Sequence, residues 1–508
     1  MQAISPDCTA LQDILARQAS RQPAAVALVW RGENITYGEL QARVERLAGR
    51  IAATGRPGDR VAVLAWNCPE FIELIYAVPA AGRILVPLNA RLAPAELCWQ
   101  LRHAGATRLF ADPALLAPLA AHADFPEGLE TVTLGEDYLR WVGQDPRSNP
   151  PASSAADPAW ILFTSGSTGR PKGAVLTHHS FLAGLESAAM GRPVLPGDRY
   201  FYPFPLFHVA AHNVLLQHLF GAAVVLAAAF DAGETLLACR EGGVTTLSLA
   251  PTMIAMLMDH PEFRPADLCG VRTIGYGASA MPGPLLQRLL GETAVGLCQS
   301  YGMTELSGSV AFLTVDDHRR AAGERPELLE SVGRPLPTAS VRLSDSGEIL
   351  VRAGQCMAGY WNDEAATRAA LGEGWLHTGD IGRFDAEGYL YIVDRKKDMI
   401  ISGGENIASR EVEEVLRRHP AVKDCAVIGL PDPRWGERVC AVLQLVASDS
   451  KQEPAEGLER VSDETLHAHC REYLAGYKAP RRFERVEALP VNAGGKVDKP
   501  LLRRRFSG

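Results

Sequence analysis

Thr164, Ser165, Ser167 and Thr168 alternate with Gly166 and Gly169 ahead of Lys172, in the run TSGSTGRPK. Glycines let backbone N–H groups close in on a bound anion, and hydroxyls and an ammonium add further donors. Residue types of this kind at this density suit a polyphosphate. The spacing differs from the GxxxxGK[ST] of a P-loop. The chemistry is therefore phosphate holding by a differently built loop.

Apolar runs flank this segment. Ile161 to Phe163 reads as a strand end, and Ala174 to Leu176 as a second short strand. Upstream, residues 36–54 carry an amphipathic helical period, with Thr36 and Glu39 spaced as a capping box. Arg60 to Ala65 reads as a strand, Pro69 to Ala81 as a helix and Ile84 to Pro87 as a strand. This alternation predicts an α/β layer architecture with a partly parallel sheet. The Pro/Ser/Ala-rich stretch 145–159 reads as a surface loop. Strands are predicted again at 199–204, 222–227, 244–249 and 271–276, with GAAVVLAAAF (221–230) as a buried strand and its turn.

From about residue 331 the texture changes to short strands and turns. A helix is predicted at 409–418, a strand at 424–430, a polar loop at 451–459 and a helix at 463–475. The tail LPVNAGGKVDKPLLRRR reads as extended and basic. The expected fold is α/β: a large N-terminal α/β body over 1–394 and a small α+β C-terminal domain over 395–508.

Composition narrows the class. The 508 residues are 47% hydrophobic and 22% charged, which is a soluble globular balance. The length exceeds what one core usually supports. A net charge of -8 without a long basic block argues against nucleic acid as the main partner. The ten cysteines form no CxxC pair, so neither a zinc knuckle nor a dithiol motif is visible. Most read as small buried hydrophobes in a reducing cytosol. No basic patch followed by an apolar core opens the chain, and no apolar run reaches membrane-spanning length.

Several further stretches occur in order: Phe207–His208, Tyr276–Ala278, YGMTE (301–305), WLHTGD (375–380), Tyr389 to Glu405, and NAGGKVDK (492–499). Together with the glycine loop they closely resemble the adenylate-forming superfamily. That group holds acyl- and aryl-CoA synthetases, adenylation domains of peptide synthetases, and luciferases. The resemblance runs from about residue 25 to 505. It implies an AMP-forming acid:CoA ligase that uses ATP, Mg2+ and coenzyme A. A carboxylate attacks the α-phosphate of ATP to give an acyl-adenylate. A thiol then displaces AMP, with the small domain rotating between the two steps.

Residue by residue, the resemblance implies these roles. Thr164, Ser165, Gly166, Ser167, Thr168, Gly169 and Lys172 would clamp the β- and γ-phosphates. Thr304 would contact the α-phosphate. Glu305 would be the magnesium ligand, a hard cation preferring carboxylate oxygen. Tyr301 and the backbone at Gly277 and Ala278 would flank the adenine. Asp380 and Arg395 would reach the ribose, and Lys397 would sit at the hinge. Lys496 would bridge the α-phosphate and the substrate carboxylate, neutralising both reactants. Gly403 and Gly404 would line the pantetheine tunnel. The loop before Lys496 departs from the family's PxTxxGK, with Asn492 in place of threonine. Asn also makes turn hydrogen bonds.

His208 stands where amino-acid-activating relatives carry an aspartate, so α-amino acids are disfavoured. Ala210, Ala211, Val214, Gln217, Met253, Met256, Tyr276, Gly277 and Gly302 are expected to line a roomy apolar pocket. No arginine stands out to pair with a second carboxylate. A fatty or aromatic acid is expected, in the cytoplasm. An alternative is loading of a separate carrier protein. A second copy could pair with the chain as a homodimer.

Overall fold

The computed structural model describes residues 8–144, 148–164, 171–277, 281–402, 405–446, 461–492 and 495–507. The chain divides into two compact units. The first comprises residues 1–341, 351–377 and 384–390; the second comprises 342–350, 378–383 and 391–508.

The first unit is built on two sheets. A nine-stranded sheet runs, edge to edge, Arg334–Pro335, Gly308–Leu313, Gly296–Met303, Thr273–Gly277, Thr246–Leu249, Arg199–Tyr202, Ala223–Leu226, Val26–Trp30 and Glu33–Thr36. Its inner pairs are parallel and its outer pairs antiparallel. A seven-stranded sheet runs Gly359–Tyr360, Lys172–Thr177, Pro158–Thr164, Ile84–Pro87, Arg60–Leu64, Ala106–Ala111 and Glu130–Thr133. One core fills the space between Leu247, Leu249, Ile274, Tyr276 and Leu297 and the helices Ala232–Glu241, Pro251–Met258 and Gly283–Glu292.

The helix expected at 36–54 spans Tyr37–Ala53. Glu39 N donates to Thr36 Oγ1 at 3.2 Å, and Thr36 N donates to Glu39 Oε2 at 2.8 Å. This reciprocal cap contributes about 1 kcal/mol. The apolar run 221–230 supplies the buried strand Ala223–Leu226. Of the stretch 145–159, residues 145–147 lie outside the described set. Residues 148–157 form no helix or strand, and Pro158 already opens a strand.

In the second unit, Val422–Asp432 and Gly436–Leu445 form a long antiparallel hairpin. Ile400–Ser402 and Glu405–Ile407 extend it, and Arg482–Arg485 pairs parallel to Gly436–Leu445. Helices Ser409–Arg417 and Asp463–Tyr473 cover one core. The expected loop at 451–459 lies outside the described residues.

The tail departs from its extended reading. Val491 and Val497 form a β-bridge around a turn, and Lys499–Phe506 is a helix. Asp498 Oδ1 accepts from Leu501 N at 2.9 Å to cap it, and Leu502 is fully buried against Ala426, Ile428 and Val442. Arg503 to Arg505 fall in its last turn, where cations suit the helix dipole. Basic charge hid a short helix anchored by the buried Leu502, with Phe506 packed against the same core.

Candidate functional site

The glycine loop springs from a hairpin. Thr164 ends the strand Pro158–Thr164 and pairs with Lys172, which opens Lys172–Thr177. Ser165, Gly166, Ser167, Thr168 and Gly169 lie outside the described residues. Thr164 Oγ1 lies 3.5 Å from Glu305 Oε1, at the outer limit of a hydrogen bond. Glu305 sits in the 3-10 turn Thr304–Leu306 and is 6% exposed. Its carbonyl accepts from Met357 N at 2.8 Å.

The structure adds a residue that the sequence reading missed. Tyr360, on a two-residue edge strand paired to Ala174, donates its hydroxyl to Glu305 Oε1 at 2.9 Å. Lys172 Nζ lies 5.1 Å from the centre of the same ring. Burial first, and then the Glu305 charge, push the Tyr360 phenol up, so it stays protonated and donates. Tyr360 lies in MAGYW, far from the glycine loop in sequence, and no local signal marks it.

The chain between Tyr301 and Glu305 is irregular for a reason. The register between Gly296–Met303 and Gly308–Leu313 shifts between Tyr301 and Gly302. Such an irregularity re-aims side chains. Ser307 then adopts φ +48, which costs about 1 kcal/mol for a non-glycine residue. Its hydroxyl donates to Ser180 Oγ at 3.0 Å. Tyr301 and Thr304 are half-buried, and Gly277 ends its strand paired to Ser300. Ala278 lies outside the described residues.

Among the described residues no group of three or more His, Cys, Asp or Glu side chains could hold a metal. A lone buried carboxylate ringed by hydroxyls still fits magnesium, a hard ion that takes few protein ligands and completes its shell with water and phosphate. Glu305 would hold it, with Tyr360 and Thr164 orienting the carboxylate.

His208 precedes the 3-10 turn Val209–Ala211. Its ring packs 4.8 Å from Phe207, which lies 6.2 Å from Trp66. Asn67 holds this segment: its amide donates to Phe204 O and Ala227 O at 2.8 and 2.9 Å and accepts from Leu206 N at 2.8 Å. The expected pocket lining needs correction. Ala211, Val214 and Gln217 are buried in the core, and Met256 is 58% exposed on its helix. Tyr276 is a core tyrosine, its hydroxyl 2.8 Å from His318 Nε2. Ala210 is half-buried.

In the second unit, Asp380 and Arg395 come together, Nε to Oδ1 at 3.1 Å. Gly379 turns the chain before Asp380 at φ +72, a conformation that favours glycine. Buried Glu348 accepts from Gly379 N and from Lys396 Nζ, both at 3.1 Å. Lys396 N donates to Gly379 O at 2.9 Å. Lys397 is exposed in a turn closed by Asp398 N donating to Arg395 O at 2.8 Å. Gly403 and Gly404 lie outside the described residues; flanking Ser402 and Glu405 are paired.

Lys496 stands on the turn between Val491 and Val497. Asn492 N donates to Lys496 O at 2.7 Å, and Lys496 N donates to Asn492 Oδ1 at 3.1 Å. Asn492 thus closes the turn with its side chain, which is how it serves where the family carries threonine. Three residues on, Lys499 Nζ is held by Ser409 Oγ at 2.6 Å and Glu413 Oε1 at 2.7 Å.

Residues 15–361 match the family model of the AMP-binding enzyme, and 411–496 that of the AMP-binding enzyme C-terminal domain. The chain is 39% identical to a feruloyl-CoA synthase of Amycolatopsis, covering 96% of this chain and 98% of that protein. It is 34% identical to a long-chain-fatty-acid–CoA ligase of Mycobacterium tuberculosis, over 97% and 98%. Among solved structures it resembles the o-succinylbenzoate CoA synthetase of Bacillus subtilis in complex with its acyl-adenylate. That match has a TM-score of 0.84 at 30% identity, over 97% of this chain and 98% of the other. With motif order, fold and both family models in agreement, the chain belongs to the AMP-binding enzyme family.

Proposed function

We propose that the protein is an AMP-forming acid:CoA ligase whose acid is aromatic, of the hydroxycinnamate type. The observation that carries the ligase reading is the buried Glu305 carboxylate, held by the Tyr360 hydroxyl beside the root of the phosphate-type loop. Bound magnesium would supply Lewis-acid stabilisation of phosphate charge. Around it, Thr164 and Lys172 hold the β- and γ-phosphates, and Thr304 the α-phosphate. Tyr301, Gly277 and Ala278 receive the adenine. Asp380 and Arg395 take the ribose, exchanging their mutual ion pair for ligand contacts. Lys496 neutralises the carboxylate and α-phosphate as they meet, and His208 steers the acid. Gly403 and Gly404 line the thiol's approach, after a change of pose about Lys397.

The aromatic reading is supported by the Trp66–Phe207–His208 ring row and by the similarity to a feruloyl-CoA synthase. No helix among the described residues is long and apolar enough to cross a membrane, and its cysteines are free, which supports a cytoplasmic placement. The test is AMP release from ATP over hydroxycinnamic, benzoic, fatty and dicarboxylic acids, with and without CoA. CoA-dependent turnover of hydroxycinnamates above fatty acids is expected. Equal AMP release without CoA, or preference for a fatty acid, would sink the respective half of the reading.

A further inference from the structure

Arg192 is the C-cap of the helix His178–Gly191, and its guanidinium turns inward. Nη1 donates to Ser248 Oγ at 2.6 Å and Nη2 to Asn213 Oδ1 at 3.0 Å, with Cζ 5.5 Å from the centre of the Tyr200 ring. Tyr200 donates to the same Ser248 Oγ at 2.9 Å. Asn213 in turn donates to Ala210 O at 3.0 Å. All of these partners are neutral, and among the described residues no carboxylate pairs with Arg192. Arg272 and Arg240, elsewhere in the same unit, each have an aspartate, Asp198 and Asp267. A half-buried cation with neutral partners alone has lost hydration with little return. A guanidinium has five N–H donors, and two are used here.

The strand beneath is shaped to admit it. A Cβ at Gly275 would stand 1.9 Å from Arg192 Nη1, so any other residue would displace the guanidinium from this place. Gly275 pairs with Ser248 on one side and Cys298 on the other. Gly277 lies on the same face, two residues or roughly 7 Å along the strand. The opposite face, with Leu247, Leu249, Ile274 and Leu297, is core. The guanidinium is thus set back along the sheet from Gly277, and Asn213 tethers it to the helix that follows His208 and Ala210.

We infer that Arg192, with its fork held by Ser248 and Asn213, is a specificity-determining residue that receives an oxygen acceptor at the remote end of the acid. The acids favoured are aromatic ones bearing a ring hydroxyl or methoxy oxygen, over plain phenyl or alkyl acids. The inference rests on the aromatic reading above. A site built to bond a polar substituent discriminates strongly against the analogue lacking it, because its own donors are left unpaired.

The experiment compares kcat/KM for 4-hydroxycinnamate, cinnamate and decanoate. The wild type should favour 4-hydroxycinnamate over cinnamate by about tenfold or more. Arg192→Leu should shrink that ratio to within about threefold, through KM, with KM for ATP unchanged. Arg192→Lys should restore part of it. A ratio near one in the wild type, or an undiminished ratio in Arg192→Leu, overturns the inference and leaves the ligase reading intact. Turnover of decanoate with neither aromatic acid accepted overturns the aromatic reading itself. If thermal melts show Arg192→Leu unfolded, Ser248→Ala and Asn213→Ala loosen the fork instead. Each should lower the ratio at least about threefold, and no change in both overturns the inference.

Discussion

The hydroxyl of Tyr360 donates to Glu305 Oε1 at 2.9 Å, across 55 residues of sequence. Removing it leaves a buried carboxylate short of a donor, and a hydrogen bond to a charged group contributes about 1.5–3 kcal/mol. Tyr360→Phe should lower ATP–pyrophosphate exchange by about tenfold or more, with the magnesium requirement raised. An unchanged magnesium titration would remove Tyr360 from the site.

Lys496→Ala should cut adenylation by about 100-fold or more, as loss of one strong transition-state contact does. Asn492→Ala deprives Lys496 N of its acceptor and should cost about fivefold in the same step. Supplying synthetic acyl-adenylate and CoA separates the halves. If thioester formation falls as far as adenylation in Lys496→Ala, the assignment fails.

Proline at 397 breaks no backbone hydrogen bond seen in the turn, yet it constrains Lys396 away from the helical region. Lys397→Pro should therefore keep pyrophosphate exchange and lose CoA transfer. Normal CoA transfer would refute the hinge role.

His218 is fully buried between Tyr76 and the Ala27 carbonyl, at 2.8 and 3.0 Å. A carbonyl only accepts, so Nε2 carries the proton and Nδ1 accepts from Tyr76. Burial pulls its pKa down from 6.5 to about 4. Between these values the unfolded chain binds more protons, so stability rises with pH. The contribution is complete above 6.5 and is lost as pH falls toward 4, by no more than about 3 kcal/mol. His212, also lowered to about 4, acts in the same direction. Thermal melts from pH 7.5 to 4.5 should show the decline, and His218→Gln should flatten it. An equal slope in the variant would exclude His218 as its source.

Where local pattern decides structure, the sequence was legible. The Thr36–Glu39 cap follows from cap spacing, and the strands flanking the glycine loop and the helix Ser409–Arg417 follow from their apolar pattern. The tail helix was not, because its stability comes from Leu502 meeting a distant strand. Tyr360 and Arg192 were invisible for a related reason. Each acquires its meaning only from a residue more than 50 positions away, Glu305 and Ser248. The pocket lining differs by register: Ala211, in the 3-10 turn after His208, and Val214, in the helix that follows, are fully buried.

Lys499, pinned by Ser409 and Glu413, turns the end of the chain into a short leash. Its neighbour three positions back is Lys496. At about 3.3–3.6 Å per residue, the Cα of Lys496 can stray no more than roughly 11 Å from that of Lys499. The lysine's reach is thus metered by an anchor that takes no part in the chemistry. Lengthening the leash by inserted glycines would leave every side chain intact and still blur where the charge arrives.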